Sequence, residues 1–206
     1  MIQGKLIKVC GMRMGENIRA IESLGIDLMG FILYAKSPRF VADMPEYMPS
    51  SCRRVGVFVN ESLEVIEAAV ERFGLDTVQL HGSESADMCR ALRRSGVEVF
   101  KAISVGAVSD LSVAEQYDGV CDMLVFDTKC EGHGGSGEQF DWSILGGYKG
   151  QIPFLLSGGI SADSVVGLRS FSHPMLAGYD INSRFESAAA MKDVELIAQF
   201  LKVLNG

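Results

Sequence analysis

No stretch of the sequence approaches the roughly eighteen consecutive apolar residues of a membrane span. There is also no block of lysine and arginine long enough to track a nucleic acid. The 19 basic residues are outnumbered by 26 acidic ones, leaving a formal charge of −7. A charge-driven nucleic-acid binder is therefore excluded. Any anionic ligand must be held by local groups against an unfavourable average field. The cysteines, Cys10, Cys52, Cys89, Cys121 and Cys130, are odd in number and lack the CxxC spacing of a zinc or redox site. Reduced thiols in a cytoplasm are the simplest reading. The first residues show neither an apolar h-region nor a small-residue cleavage pattern, so the expected location is cytoplasmic. No Pro- or Gly-rich linker divides the chain, and residues 1–206 are read as one domain. Hydrophobic content of 48% and charged content of 22% are those of an ordinary globular protein.

What is present is alternation. Short apolar runs predict strands at 5–9, 27–32, 54–59, 77–80, 97–101, 122–126, 153–156 and 175–178. Between them lie segments with helical spacing: Ile18, Ile21 and Leu24, then Leu63, Ile66, Val70 and Phe73, and finally Val194, Ile197, Leu201 and Leu204. Asn60, Ser83 and Ser161 stand where helix caps are expected. Strands alternating with helices imply a parallel α/β sheet. Eight of them, with no GxGxxG after the first, favour a (β/α)8 TIM barrel over an open doubly wound sheet. The second helix is expected to be short or irregular, because Pro45 and Pro49 interrupt the segment from Ala42 to Arg54.

In such a barrel the active site lies at the C-terminal strand ends. The polar residues there are Cys10, Asn60, His81, Asp127, Ser157 and Asp180. Lys8 and Cys10 share one face of the first strand, Ile7 and Val9 the other. A cation beside a thiol favours the thiolate, the useful form of cysteine as base or nucleophile. The alternative is a buried structural cysteine beside a snorkelling lysine. Asp127 closes the sixth strand ahead of the glycine-rich Gly132–Gly137, which contains His133 and could close over a ligand. Gly158 and Gly159 precede a helix cap and let backbone N–H groups approach a phosphate. Asp180-Ile181-Asn182-Ser183 after the eighth strand can cap a short extra helix aimed at the same point. Arg39, in Ser37-Pro38-Arg39, is either a two-pronged carboxylate clamp or an ordinary surface arginine. Gln79 and His81 are expected to point into the barrel mouth, with Val78 and Leu80 packing outward.

Taken together these segments resemble the phosphoribosylanthranilate isomerases. The matching pieces are Lys8-Val9-Cys10-Gly11, Ser37-Pro38-Arg39, Val55–Asn60 and Val78-Gln79-Leu80-His81-Gly82. Further along come Phe126-Asp127, Gly134-Gly135-Ser136-Gly137 with Phe140-Asp141-Trp142, Leu156-Ser157-Gly158-Gly159, and Asp180-Ile181-Asn182-Ser183 with Glu186. Each is short, but their order from residue 8 to residue 186 is specific. The resemblance implies an Amadori rearrangement of N-(5′-phosphoribosyl)anthranilate in tryptophan biosynthesis. It makes Asp127 the general acid that opens the ribose ring and Cys10 the general base that removes the C2′ proton. Arg39 is then the carboxylate ligand, and the phosphate rests on Gly158, Gly159, Asn182 and Ser183. The whole expected substrate-binding set is Lys8, Arg39, His81, Gly158, Gly159, Asp180, Asn182 and Ser183. Isomerisation moves protons and no net electrons, so neither cofactor nor metal is expected. The expected partner is a phosphorylated small molecule, with no nucleic acid and no membrane. A monomer is expected, a homodimer being the alternative. Two other readings remain: a different sugar-phosphate isomerase, disfavoured because the histidine-pathway relative uses aspartate where Cys10 stands, and a barrel that binds such a ligand without turning it over. One departure is Arg184, which stands where the family usually has glycine.

Overall fold

The computed structural model describes residues 1–129 and 140–206. Eight strands form a closed parallel barrel in chain order. They are β1 (Leu6–Cys10), β2 (Leu28–Ile32), β3 (Arg53–Phe58), β4 (Thr77–Leu80), β5 (Glu98–Val105), β6 (Met123–Thr128), β7 (Phe154–Leu156) and β8 (Leu176–Ile181). The connections hold α1 (Gly15–Glu22), α2 (Leu63–Phe73), α3 (Ala86–Arg94), a 3₁₀ helix (Val108–Tyr117) and another (Trp142–Gly147). After β7 a 3₁₀ turn (Ala162–Ser164) runs into α4 (Val165–Ser170). After β8 come a 3₁₀ turn (Ser183–Phe185), the small hairpin β9 (Glu186–Ala188) and β10 (Met191–Lys192), and α5 (Val194–Asn205). The expected (β/α)8 TIM barrel is the fold. Among the described helices none is long and apolar enough to cross a membrane.

Alternation along each strand builds two apolar layers. Leu28, Val55, Phe100, Ala102, Met123, Val125 and Leu155 fill the barrel interior. Ile7, Val9, Met29, Phe31, Val78, Leu80, Val99 and Ile103 face the surrounding helices. Slipping a strand by one residue would exchange the two sets, and each buried side chain is worth roughly 1.5–3 kcal/mol, so the register is firmly set.

All eight strands fall where the sequence placed them, but β5, β6 and β8 run further. β6 thus includes Asp127, and β8 includes Asp180, opposite Lys8 of β1. Asp180 is therefore a strand residue and not the start of the following loop. No helix forms between β2 and β3, where the prolines stand. Two caps lie two residues later than expected: Ser62 accepts from the Val65 N–H and Ser85 from the Met88 N–H. Asn60 and Ser83 are committed elsewhere, since Asn60 Oδ1 accepts the Ser83 N–H at 2.7 Å and tethers one loop to the next. Ser161 does open its turn, its N–H donating to Ser164 Oγ at 3.0 Å.

Candidate active site

β1 delivers Lys8 and Cys10 to the interior side of the barrel. Lys8 is fully buried, and its Nζ lies 2.8 Å from Asp180 Oδ2. The other oxygen, Asp180 Oδ1, is buried with no hydrogen-bond partner among the described residues. Burial alone would push the Lys8 ammonium down, but Asp180 and Cys10 outweigh it and hold its pKa above the ordinary value. Burial pushes the Asp180 carboxyl up, against the pull of Lys8. Cys10 is also buried, and burial raises its thiol; Lys8 and Lys192 act the other way, while Asp180 adds to the rise. Lys8 is thus beside the thiol as the sequence suggested, yet desolvation wins.

Opposite stands a second group. His81 Nε2 is 3.3 Å from Asp127 Oδ2, and its Nδ1 is 3.0 Å from Gln79 Nε2. Asp127 Oδ1 accepts the Thr128 N–H at 2.9 Å. Gly158, at φ +81°, presses against this strand end; a Cβ there would lie 2.2 Å from Thr128 Oγ1 and 3.1 Å from Asp127 Oδ1. Only glycine supplies both that backbone angle and that approach. Asp180 feels the charges of Lys8, Asp127 and His81, which joins the two groups into one mouth.

Arg39 is no free surface arginine. Its Nε donates to Glu186 Oε1 at 2.9 Å and Nη2 to Oε2 at 2.7 Å. That edge of the guanidinium is occupied; the Nη1 side makes no hydrogen bond among the described residues. Glu186 also accepts from Lys192 Nζ at 2.5 Å. Burial pushes the Glu186 carboxyl up, but Arg39 and Lys192 together bring it below its ordinary value. Lys192 Nζ also reaches Asn182 Oδ1 at 2.7 Å. Gly11, at φ +79°, passes between these groups, and a Cβ on it would meet both Arg39 Cδ and Asn182 Oδ1 at 2.7 Å.

Gly158, Gly159 and Ser183 lie in the loops after β7 and β8, and their backbone N–H groups donate no hydrogen bond among the described residues. Arg184 lies within the Ser183–Phe185 turn and is not among the positive-φ residues, so replacing the family's glycine there carries no backbone strain. Gly132–Gly137 and His133 lie outside the described residues. Among the described residues no group of three or more His, Cys, Asp or Glu is arranged to hold a metal.

The sequence-derived residues Lys8, Cys10, Arg39, His81, Asp127, Asp180 and Asn182 thus converge on one end of the barrel. The sequence reading assigned no role to Lys192 and none to Glu186 beyond its place in the resemblance. Both sit on a two-strand hairpin too short for any periodic signal. The arrangement offers a carboxyl and a thiol, each with its own polar support, beside a cationic edge and two loops whose N–H groups are unpaired among the described residues. Such a set can protonate an oxygen on one side of a bound phosphorylated ligand and remove a carbon-bound proton on the other.

Comparison with known proteins agrees over nearly the whole chain. A sequence model of the family described as N-(5′phosphoribosyl)anthranilate (PRA) isomerase matches residues 7–203. The N-(5′-phosphoribosyl)anthranilate isomerase of Phocaeicola vulgatus is 51% identical over 200 residues, covering 97% of this chain and 98% of the relative. The crystal structure of phosphoribosyl anthranilate isomerase from Thermus thermophilus superposes with a TM-score of 0.85 at 25% identity, covering 97% of this chain and 98% of that one. A phosphoribosyl anthranilate isomerase solved with reduced 1-(o-carboxyphenylamino)-1-deoxyribulose 5-phosphate gives a TM-score of 0.82 at 30% identity, with the same coverage.

Proposed function

The chain belongs to the N-(5′-phosphoribosyl)anthranilate isomerase family, and from that premise we propose that Asp127 is its general acid and Cys10 its general base. The reaction converts N-(5′-phosphoribosyl)anthranilate into 1-(2-carboxyphenylamino)-1-deoxyribulose 5-phosphate, a step of tryptophan biosynthesis. Asp127 gives its proton to the furanose ring oxygen, and the C1′–O bond breaks to leave a Schiff base. Cys10, as thiolate, takes the proton from C2′. The resulting enolamine tautomerises to the ketone, and no electrons leave the substrate. The observation that carries the reading is the pairing of Asp127 with His81 at 3.3 Å across one mouth from a thiol flanked by lysines.

The remaining contacts follow from what each residue has left to offer. Arg39 presents its Nη1 side to the anthranilate carboxylate while Glu186 fixes the other edge. The free N–H groups of Gly158, Gly159 and Ser183 hold the phosphate, with Asn182 fixing the turn. His81 supports Asp127 and borders the sugar. Lys8, with no exposed surface, acts on the substrate through Cys10 and Asp180. The enzyme is read as one catalytic domain over residues 1–206, working in the cytoplasm as a monomer, with a homodimer as the alternative.

The test follows the fluorescence of substrate generated in situ, for wild type, Cys10→Ala and Asp127→Ala. Rapid wild-type decay, with each variant slower by about 10²–10⁴-fold, is expected. Wild-type protein that binds the substrate without consuming it would instead favour a binding barrel. Near-normal turnover by Asp127→Ala would remove Asp127 as the acid.

A further inference from the structure

Lys192 is a lysine with nowhere to solvate its charge: its side chain has no exposed surface. The backbone around it is pinned from both sides by one residue of α1. Asn17 Nδ2 donates to the Lys192 carbonyl at 2.9 Å, and Asn17 Oδ1 accepts the Lys192 N–H at 2.8 Å. From that anchor the side chain runs inward to Asn182 Oδ1 and Glu186 Oε1. Ala190, at φ +64° and buried, turns the hairpin so that its own N–H also reaches Glu186 Oε1 at 3.2 Å. A buried lysine costs several kcal/mol of desolvation unless it is paired. Here its carboxylate partner is already gripped along one edge by Arg39.

The charges around Cys10 can be counted by element. β1 brings Lys8, the β2–β3 connection Arg39, β8 Asp180, β9 Glu186 and β10 Lys192. β2 contributes only Gly30 at this point, and His81 and Asp127 act from across the mouth through Asp180. Three cations therefore face two carboxylates. A thiolate at Cys10 restores the balance: Lys192 Nζ lies 2.7 Å from Asn182 Oδ1, which packs against Gly11, the residue after Cys10, and each of the three cations feels Cys10.

We propose that Lys192 is a positioning residue for the isomerisation, its ammonium supplying the unmatched positive charge that favours the Cys10 thiolate against the cost of burial. This rests on Cys10 being the base. Lys192 touches no reacting atom and works through the thiol.

The experiment compares wild type, Lys192→Met and Lys192→Arg by the pH dependence of kcat/KM. In parallel it follows the ultraviolet absorbance of the thiolate in the ligand-free proteins, each read against its own Cys10→Ala counterpart. Loss of the ammonium is expected to raise the midpoint of the limb that grows with pH by about one unit. At a pH below both midpoints that is roughly tenfold less thiolate. Lys192→Arg should return the midpoint toward wild type. A folded Lys192→Met protein with an unmoved midpoint in both readouts overturns the proposal. Should Lys192→Met not fold, Glu186→Gln leaves the lysine in place and removes the carboxylate that shares it. The midpoint then falls if the ammonium governs the thiol, and an unmoved midpoint overturns the idea. Full turnover by Cys10→Ala alone would end the base assignment, while the thiolate absorbance still reports whether Lys192 acts on the thiol. The two failures are thus told apart.

Discussion

At Gly30 a hydrogen atom stands where any other side chain would strike the Cys10 thiol. A Cβ there would lie 2.7 Å from Cys10 Sγ, 3.1 Å from its Cα and 3.2 Å from its Cβ. The backbone cannot retreat, because Cys10 and Gly30 are register partners in the barrel. The thiol would have to rotate out of its rotamer, away from the position the proposed base requires. Gly30→Ala is therefore expected to fold with a loss of about 1–3 kcal/mol in urea denaturation while kcat falls by about 10²-fold. Wild-type kcat would show that Gly30 does not set the aim of Cys10. This residue also shows where the sequence stopped being legible. Cys10, His81 and Asp127 could be found because polarity at the end of an apolar strand is conspicuous. A glycine inside a strand announces only that something comes close, not what. Lys192 was harder still, since a lysine beside a helix cap reads as an exposed charge until its burial is known.

At the scale of elements, the short apolar runs placed all eight strands, while the helix expected between β2 and β3, short or irregular because of Pro45 and Pro49, does not form. The sequence could not say what orders that segment without a helix. The answer is Glu22, at the end of α1. It accepts the Ser50 N–H at 2.7 Å, the Ser51 N–H at 2.6 Å and the Ser51 hydroxyl at 2.8 Å, and it also binds the Tyr47 hydroxyl. Burial pushes its carboxyl up, but these donors outweigh it and bring it from 4.5 to about 2. The folded pKa lies below the unfolded one, so the carboxylate stabilises the fold fully above the unfolded value. That contribution drains as pH falls through the window between the two. Glu22→Gln should cost about 1.5–3 kcal/mol near neutrality. Urea curves of the two proteins should converge between pH 4.5 and about 2. A gap that persists at the acid end would mean that Glu22 acts through shape and not through charge.

Across the whole molecule, closure of the barrel depends on what happens at its two ends. At the N-terminal end an aspartate just before each of three even-numbered strands accepts an N–H from the strand before: Asp27 from Ile7, Asp76 from Arg54 and Asp122 from Val99. The repeat is visible in the sequence once the strands are known, as an Asp just ahead of β2, β4 and β6. Between the first and last strands, Lys8 and Asp180, 172 residues apart, add an ion pair to the backbone ladder. A contact that distant in sequence is costly to form early in folding. It should therefore act mainly on the unfolding rate. Lys8→Met leaves Asp180 buried without its cation, with Oδ1 already unpartnered among the described residues, and is expected to cost about 3–5 kcal/mol. Lys8→Met combined with Asp180→Leu removes both charges and should recover most of that loss, although neither protein would keep a working site. The double-mutant cycle, read by urea unfolding kinetics, separates two ways a barrel can be closed. If the single variant unfolds much faster than the double, closure tolerates apolar packing and the ion pair is there for Cys10. If both unfold equally fast, the pair itself strengthens closure beyond the backbone ladder of β1 and β8.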